Sequence, residues 1–145
     1  MSRFAPLEAA SPVTLFHDGE CPFCRREVAW LRRHPHSDRL VLVDIRAAGF
    51  KAAAWGRAFE AMRGSLHVRD AAGRWFVGME ASRALYAVLG HRRLVWWSCL
   101  PGVAGLLDGG YRIFARHRER LGRRVSGRRV SGRRVSGRRV SGRRR

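Results

Sequence analysis

Apolar residues in this chain gather in short runs, and the period of the runs changes at clear punctuation. Residues 13–17, VTLFH, form a β-branched and aromatic run between Pro12 and Asp18-Gly19, which predicts a strand ending in a turn. From 22 to about 33 the period becomes helical. Cys24, Val28 and Leu31 are spaced by four and three and share one face, while Arg25, Arg26, Arg32 and Arg33 lie opposite, and Pro35 stops the helix. Residues 39–45, RLVLVDI, are almost continuously apolar, as in a central strand covered on both faces. A weaker helix is expected over about 52–62. Residues 65–69 and 74–77 flank a turn at 70–73 and read as a hairpin, and 80–89 read as a helix with Gly90 as its C-cap.

The predicted order is strand, helix, strand, helix, hairpin, helix. A crossover helix joins two parallel strands in a right-handed unit, and an antiparallel hairpin with one more helix completes a small mixed sheet. The fold class expected is therefore α/β, a thioredoxin-like mixed sheet flanked by helices. Residues 91–121 are expected as a C-terminal helical extension, with Trp96 and Trp97 packing back onto the body. The domain boundaries that follow are an N-terminal extension at 1–12, a folded domain at 13–121 and a tail at 122–145.

Charge changes the picture only at that tail. The 145 residues carry a formal net charge of +19, but the repeat GRRVS, running from Gly122 to the end, holds 11 arginines and no acidic residue, which leaves +8 for residues 1–121. With Val as its one apolar residue the repeat has too little surface to bury, so disorder is expected. Its charge suits nonspecific contact with nucleic acid or anionic lipid. The N-terminus has no apolar core of a secretory signal, and the longest apolar stretch, 94–107, is interrupted by Pro101-Gly102, so no transmembrane segment is expected. Three cysteines, an odd number, fit a reducing compartment, and a cytoplasmic location is the expectation.

The chemistry concentrates at Cys21-Pro22-Phe23-Cys24, where the first strand gives way to the first helix. At a helix start the first sulfur meets unpaired N–H groups and the positive end of the helix dipole, which stabilise its thiolate. Cys21 is the expected nucleophile. Cys24, one turn in and on the face of Val28 and Leu31, is the expected resolving thiol, shielded until it attacks a mixed disulfide on Cys21. Pro22 suits the first helical position because it lacks an N–H to leave unpaired. Asp18 has two readings: a partly buried acid of raised pKa relaying a proton to Cys24, or a turn former bonding local backbone. His17 reads as a strand residue and Cys99 as a small packed residue. A zinc site would need two more ligands; His34, His36 and Cys99 are the available ones, without finger spacing.

The stretch FHDGECPFC resembles the opening motif of the DCC family of predicted thiol-disulfide oxidoreductases, whose Asp, Cys, Cys pattern maps onto Asp18, Cys21 and Cys24. The hairpin with Gly73, the segment GMEASRAL and the closing LPGVAGLLDGGYRIFARHRERLG, with Tyr111, Ala115, Arg116 and Arg118, are similar too, over about 13–122. The resemblance implies a thioredoxin-like fold and disulfide chemistry; the expected partner is a protein or small-molecule thiol or disulfide, and no metal or organic cofactor is expected. One departure from thioredoxins is that RGSLHV, before the third core strand, carries no proline. The function expected is thiol-disulfide oxidoreduction through Cys21 and Cys24. The alternative is a nucleic-acid or anionic-membrane binding protein acting through its tail, with a structural or zinc-binding cysteine pair.

Overall fold

A computed structural model describes residues 2–130 of the chain, with side chains through Arg118. Four strands form one mixed sheet: β1 (Val13–His17), β2 (Leu40–Asp44), β3 (His67–Arg69) and β4 (Trp75–Val77), in the order β2-β1-β3-β4. β1 runs parallel to β2, with Val13 opposite Leu40 and His17 opposite Asp44, and antiparallel to β3, with Leu15 opposite Val68. β3 and β4 pair antiparallel around Gly73, whose φ of 84° is a conformation glycine adopts without strain. The helices are α1 (Pro22–Leu31), α2 (Phe59–Gly64), α3 (Met79–Val88), α4 (Arg92–Ser98) and α5 (Val103–Val130). This is the α/β mixed sheet with flanking helices expected from the element order.

Strand alternation builds two cores. Val13 and Leu15 of β1, Val68 of β3 and Phe76 of β4 face Leu31 of α1 and Ala81, Ala84, Leu85 and Val88 of α3. Phe16 points the other way, into Ile45, Ala52 and Met62, with its ring 4.9 Å from Trp55 and 5.3 Å from Trp75. The N-terminal extension joins the first core, since a 3₁₀ turn at Ala5–Glu8 buries Ala5 and Pro6. β1 is thus covered on both faces and paired on both edges, so its C-terminal end is a firm mount for the loop that follows.

Three expectations are corrected. The run at 39–45 is not a central strand: β2 lies at the sheet edge. Its apolarity reflects two partly covered faces, Leu40 and Leu42 on the α3 side and Val43 on the other, while Val41 stays 46% exposed. The helix expected over 52–62 is broken into a 3₁₀ turn at Ala52–Trp55 and α2, because Gly56 takes a left-handed conformation and Ala58 an extended one. Trp96 and Trp97 do not pack back onto the body; both are exposed, and it is Val95 and Cys99 of the same segment that are buried, against Ala87 of α3. Four-residue periodicity turns the tryptophans outward once Val95 and Cys99 are inside.

Pro101 and Gly102, the latter at φ 86°, separate α4 from α5. Among the described residues no helix is long and apolar enough to cross a membrane. α5 carries the backbone through Val130. Residues 131–145, most of the repeat for which disorder is expected, lie outside the described residues.

Candidate active site

Cys21 caps the N-terminus of α1 with extended backbone (φ −78°, ψ 119°), and Pro22 follows at the first helical position. Its N–H donates to the Asp18 carbonyl and its carbonyl accepts from the Arg25 N–H, both at 3.0 Å. The thiol is half-buried, whereas Cys24 is buried with Val28 and Leu31 on the inner face of α1. Cys21 and Cys24 lie 3.4 Å apart and are not bridged.

Two loop carboxylates hold this turn in place. Asp44, at the end of β2, accepts the N–H of Gly19 and the N–H of Arg46 on one oxygen, each at 2.9 Å. A Cβ on Gly19 would stand 2.1 Å from the other Asp44 oxygen, so only glycine fits here without moving that side chain. Asp18 accepts the Glu20 N–H at 3.0 Å and both arms of the Arg46 guanidinium, Nε at 3.1 Å and Nη2 at 3.4 Å. Arg46 also reaches Glu20 at 3.5 Å.

Burial alone would raise the Asp18 pKa. The Arg46 and Glu20 hydrogen bonds, with the charges of Arg46 and Arg118, outweigh it and hold the carboxyl below its usual range. A proton relay would need the opposite shift. The turn-forming reading of Asp18 is the one its hydrogen bonds display, extended by a clamp to Arg46. Toward Cys24 it offers its main-chain amide.

The two sulfurs are driven apart electrostatically. For Cys21 the largest influence is the Cys24 thiol, which as hydrogen donor favours the thiolate. Burial opposes this, while the amides of Cys24 and Phe23 and the charge of Arg118 add to it, and the pKa falls to about 6. No formed side-chain cap closes on those amides, but they lie near enough to favour negative charge on the sulfur, as the start of a helix does. Cys24 is pushed up by its bond to Cys21, by burial and by the Cys21 charge. Of the two sulfurs, Cys21 is the more readily ionised.

Helix α5 covers this turn. Tyr111, Phe114 and Arg118 are spaced by three and four and share a face. The Tyr111 hydroxyl accepts the Leu66 N–H at 2.8 Å, at the entry to β3. Phe114 stands edge-on to Phe23, between the two cysteines, at 5.5 Å. Arg118 is 8% exposed, and its charge reaches Cys21, Cys24 and Asp18. Glu27, three residues beyond Cys24, is pushed up in pKa by burial and by the Cys21 charge.

Asp44, Arg46, Glu27 and a role for Arg118 all escape the sequence reading. The one usable signal is the Tyr111, Phe114, Arg118 spacing. The other proposed ligands do not gather at the pair. Cys99 is fully buried beside Val95, the His34 ring lies tilted against His36 and edge-on to His91, and among the described residues no group of three or more His, Cys, Asp or Glu is placed to hold a metal. His17 is a buried strand residue.

The profile of the DCC1-like thiol-disulfide oxidoreductases matches residues 15–124. An uncharacterized chloroplastic protein of Arabidopsis thaliana is 27% identical over 127 residues, a match that spans 86% of this chain and 59% of that protein. No solved structure matches the chain significantly. With more than half its length matched, the chain belongs to the DCC1-like thiol-disulfide oxidoreductase family, which supports a redox role.

Proposed function

We propose that this member of the DCC1-like family exchanges disulfides through Cys21 as nucleophile and Cys24 as resolving thiol. The observation that carries the reading is the two sulfurs 3.4 Å apart at one helix start, Cys21 half-buried and Cys24 buried, an arrangement that lowers the Cys21 pKa and raises that of Cys24. The Cys21 thiolate attacks a substrate disulfide, forming a mixed disulfide and releasing one thiolate. Cys24 then gives up its proton and attacks the Cys21 sulfur, releasing the second thiol and leaving the Cys21-Cys24 disulfide. Asp18 acts by position: with Arg46 it holds the turn that presents Cys21. A cytoplasmic or otherwise reducing setting suits three unbridged cysteines.

The test is to equilibrate the protein, with and without residues 122–145, in glutathione buffers of graded potential, then alkylate and weigh the peptides holding Cys21 and Cys24. A reversible two-electron transition joining those sulfurs is expected. A pair that never bridges at any potential overturns the proposal.

A second reading concerns the basic tail. Leu94, Trp96 and Trp97 are exposed on α4 beside Arg92 and Arg93, and tryptophan with arginine suits a lipid interface better than a nucleic-acid groove. Co-sedimentation with phosphatidylserine vesicles, lost on deleting 122–145 and unaffected by cysteine substitution, supports it; equal sedimentation with neutral vesicles removes it.

A further inference from the structure

Two arginines brought to the cysteine pair from distant parts of the chain are differently placed. Arg46 is spent: its guanidinium is shared between Asp18 and Glu20. Arg118 is buried to 8% exposure, and among the described residues it has no hydrogen bond or ion pair. None of its nitrogens is among the buried atoms left without a partner, so the guanidinium is not sealed in the core and is available to a counter-charge that arrives with a ligand. The acidic groups within reach do not supply one. Asp18 is neutralised by Arg46, and burial and the Cys21 charge disfavour a negative charge on Glu27 by pushing its pKa up. The Cys21 thiolate answers Arg118 only in the resting state, because that negative charge is consumed when the sulfur forms a mixed disulfide.

A second observation places the cation on the substrate's side. Tyr111 is anchored at Leu66 and Phe114 at Phe23, so the α5 face carrying Arg118 lies over the turn that an incoming disulfide must approach. The α1 N-terminus adds positive potential from below.

We propose that Arg118 receives a carboxylate of the disulfide substrate, so that the site favours small anionic disulfides over neutral and cationic ones. This deepens the thiol-disulfide reading and rests on it. In the reaction the Cys21 thiolate attacks one sulfur of RS–SR; the Cys21–SR bond forms and RS⁻ leaves. Cys24 loses its proton and attacks Cys21, and the second RS⁻ leaves. One of the two released groups takes up that proton. Two electrons pass from the protein dithiol to the substrate, so pre-reduced protein completes one turnover with no other reductant.

The experiment measures single-turnover reduction of dithiodipropionate, bis(hydroxyethyl) disulfide and cystamine by the pre-reduced full-length chain, at about pH 8 and one ionic strength. The expected order is anionic, neutral, cationic, with roughly a tenfold or larger spread between the extremes, as one close charge pair in a partly desolvated site produces. In Arg118→Met the spread should shrink severalfold, and Arg118→Lys should retain it. Comparing ratios cancels any common change in the Cys21 thiolate fraction, and the tail's charge is the same in every variant. Equal rates for the three disulfides in the wild type, or an unchanged spread in Arg118→Met with folding intact by circular dichroism, overturns the assignment. Should Arg118→Met fail to fold, Arg118→Gln, which also removes the charge, takes its place, with the same loss of spread expected and an unchanged spread overturning the assignment. Failure of the wild type to reduce any of the three, with no Cys21-Cys24 bridge in the glutathione series, instead brings down the underlying function.

Discussion

Two buried aspartates sit at opposite ends of the sheet, each bonded to an arginine side chain, and only one of them adjoins a sulfur. At the hairpin end Asp70 accepts the Ala10 N–H at 3.1 Å, the Arg74 N–H at 2.8 Å and the Arg74 Nε at 2.9 Å, and Arg74 also donates to the Glu8 carbonyl. At the other end Asp18 does the same work with Glu20 and Arg46. Both carboxyls are held below their usual range by these bonds against the effect of burial. The pairing of buried Asp with Arg is therefore a fastening of loops to strand ends in this fold, and it does not by itself mark catalysis. What sets the Asp18 end apart is the helix start that follows it, whose amides face Cys21.

The comparison breaks most readily at the sulfur. Cys21→Ser should abolish exchange, and Cys24→Ser should accumulate mixed disulfides visible by mass; a Cys21→Ser protein with full exchange would make the two ends chemically equivalent. Next in size is the fastening itself. Asp70→Ala strands Arg74 and several backbone donors around a side chain with no exposure, and should cost about 3–5 kcal/mol in urea unfolding. Asp18→Ala should cost less, about 2–3 kcal/mol, because its side chain is 10% exposed. Once both variants are kept folded, only Asp18→Ala should slow exchange at Cys21. Equal slowing in both would show that the Asp18 turn does not position the nucleophile.

A smaller effect separates geometry from charge. Gly19→Ala leaves every ionisable group in place but drives a methyl into Asp44, so stability should fall by about 1–3 kcal/mol with a matching loss of exchange rate; an unchanged unfolding curve would show that Asp44 yields freely. The smallest is the pH dependence. Burial lowers the pKa of His17 and of His67, so their contribution is complete above the unfolded value of about 6.5 and is lost as pH falls through the folded one. The lowered Asp18 and Asp70 contribute fully above about 4 and lose it below. Because Cys21 is lowered from 9.0 to about 6, urea midpoints should decline as pH falls through neutrality, more steeply below about 6.5 where the histidines add, and again below about 4, where Asp70→Asn should flatten the decline. A midpoint that rises on acidification would contradict both assignments.

Much of the site was legible because its signals are local. Pro12, Asp18-Gly19 and Pro22 punctuate β1, the turn and α1 within eleven residues, and β1 has the bounds that its β-branched and aromatic run predicts. The burial of Cys24 follows from its spacing to Val28 and Leu31. Elsewhere local signals misled. The apolarity of 39–45 says that two faces are covered but not which strands lie alongside. The helix expected over 52–62 yields at Gly56, where Trp55 joins the Phe16 cluster. The tryptophans of α4 are as apolar as its buried residues, and helix phase alone decides which side faces in.

The sequence by itself determined the order of elements, the place of the cysteine pair at a strand-to-helix junction and which of its sulfurs is buried, since helix starts and spacing act over a few residues. Only the tertiary structure decided which charges surround that pair. Arg46 is 28 residues from Asp18 and Arg118 is 97 residues from Cys21. Those partnerships arise when the β2 end and α5 are brought against the same turn, and burial of a guanidinium or a carboxylate depends on what packs over it, which no local pattern encodes.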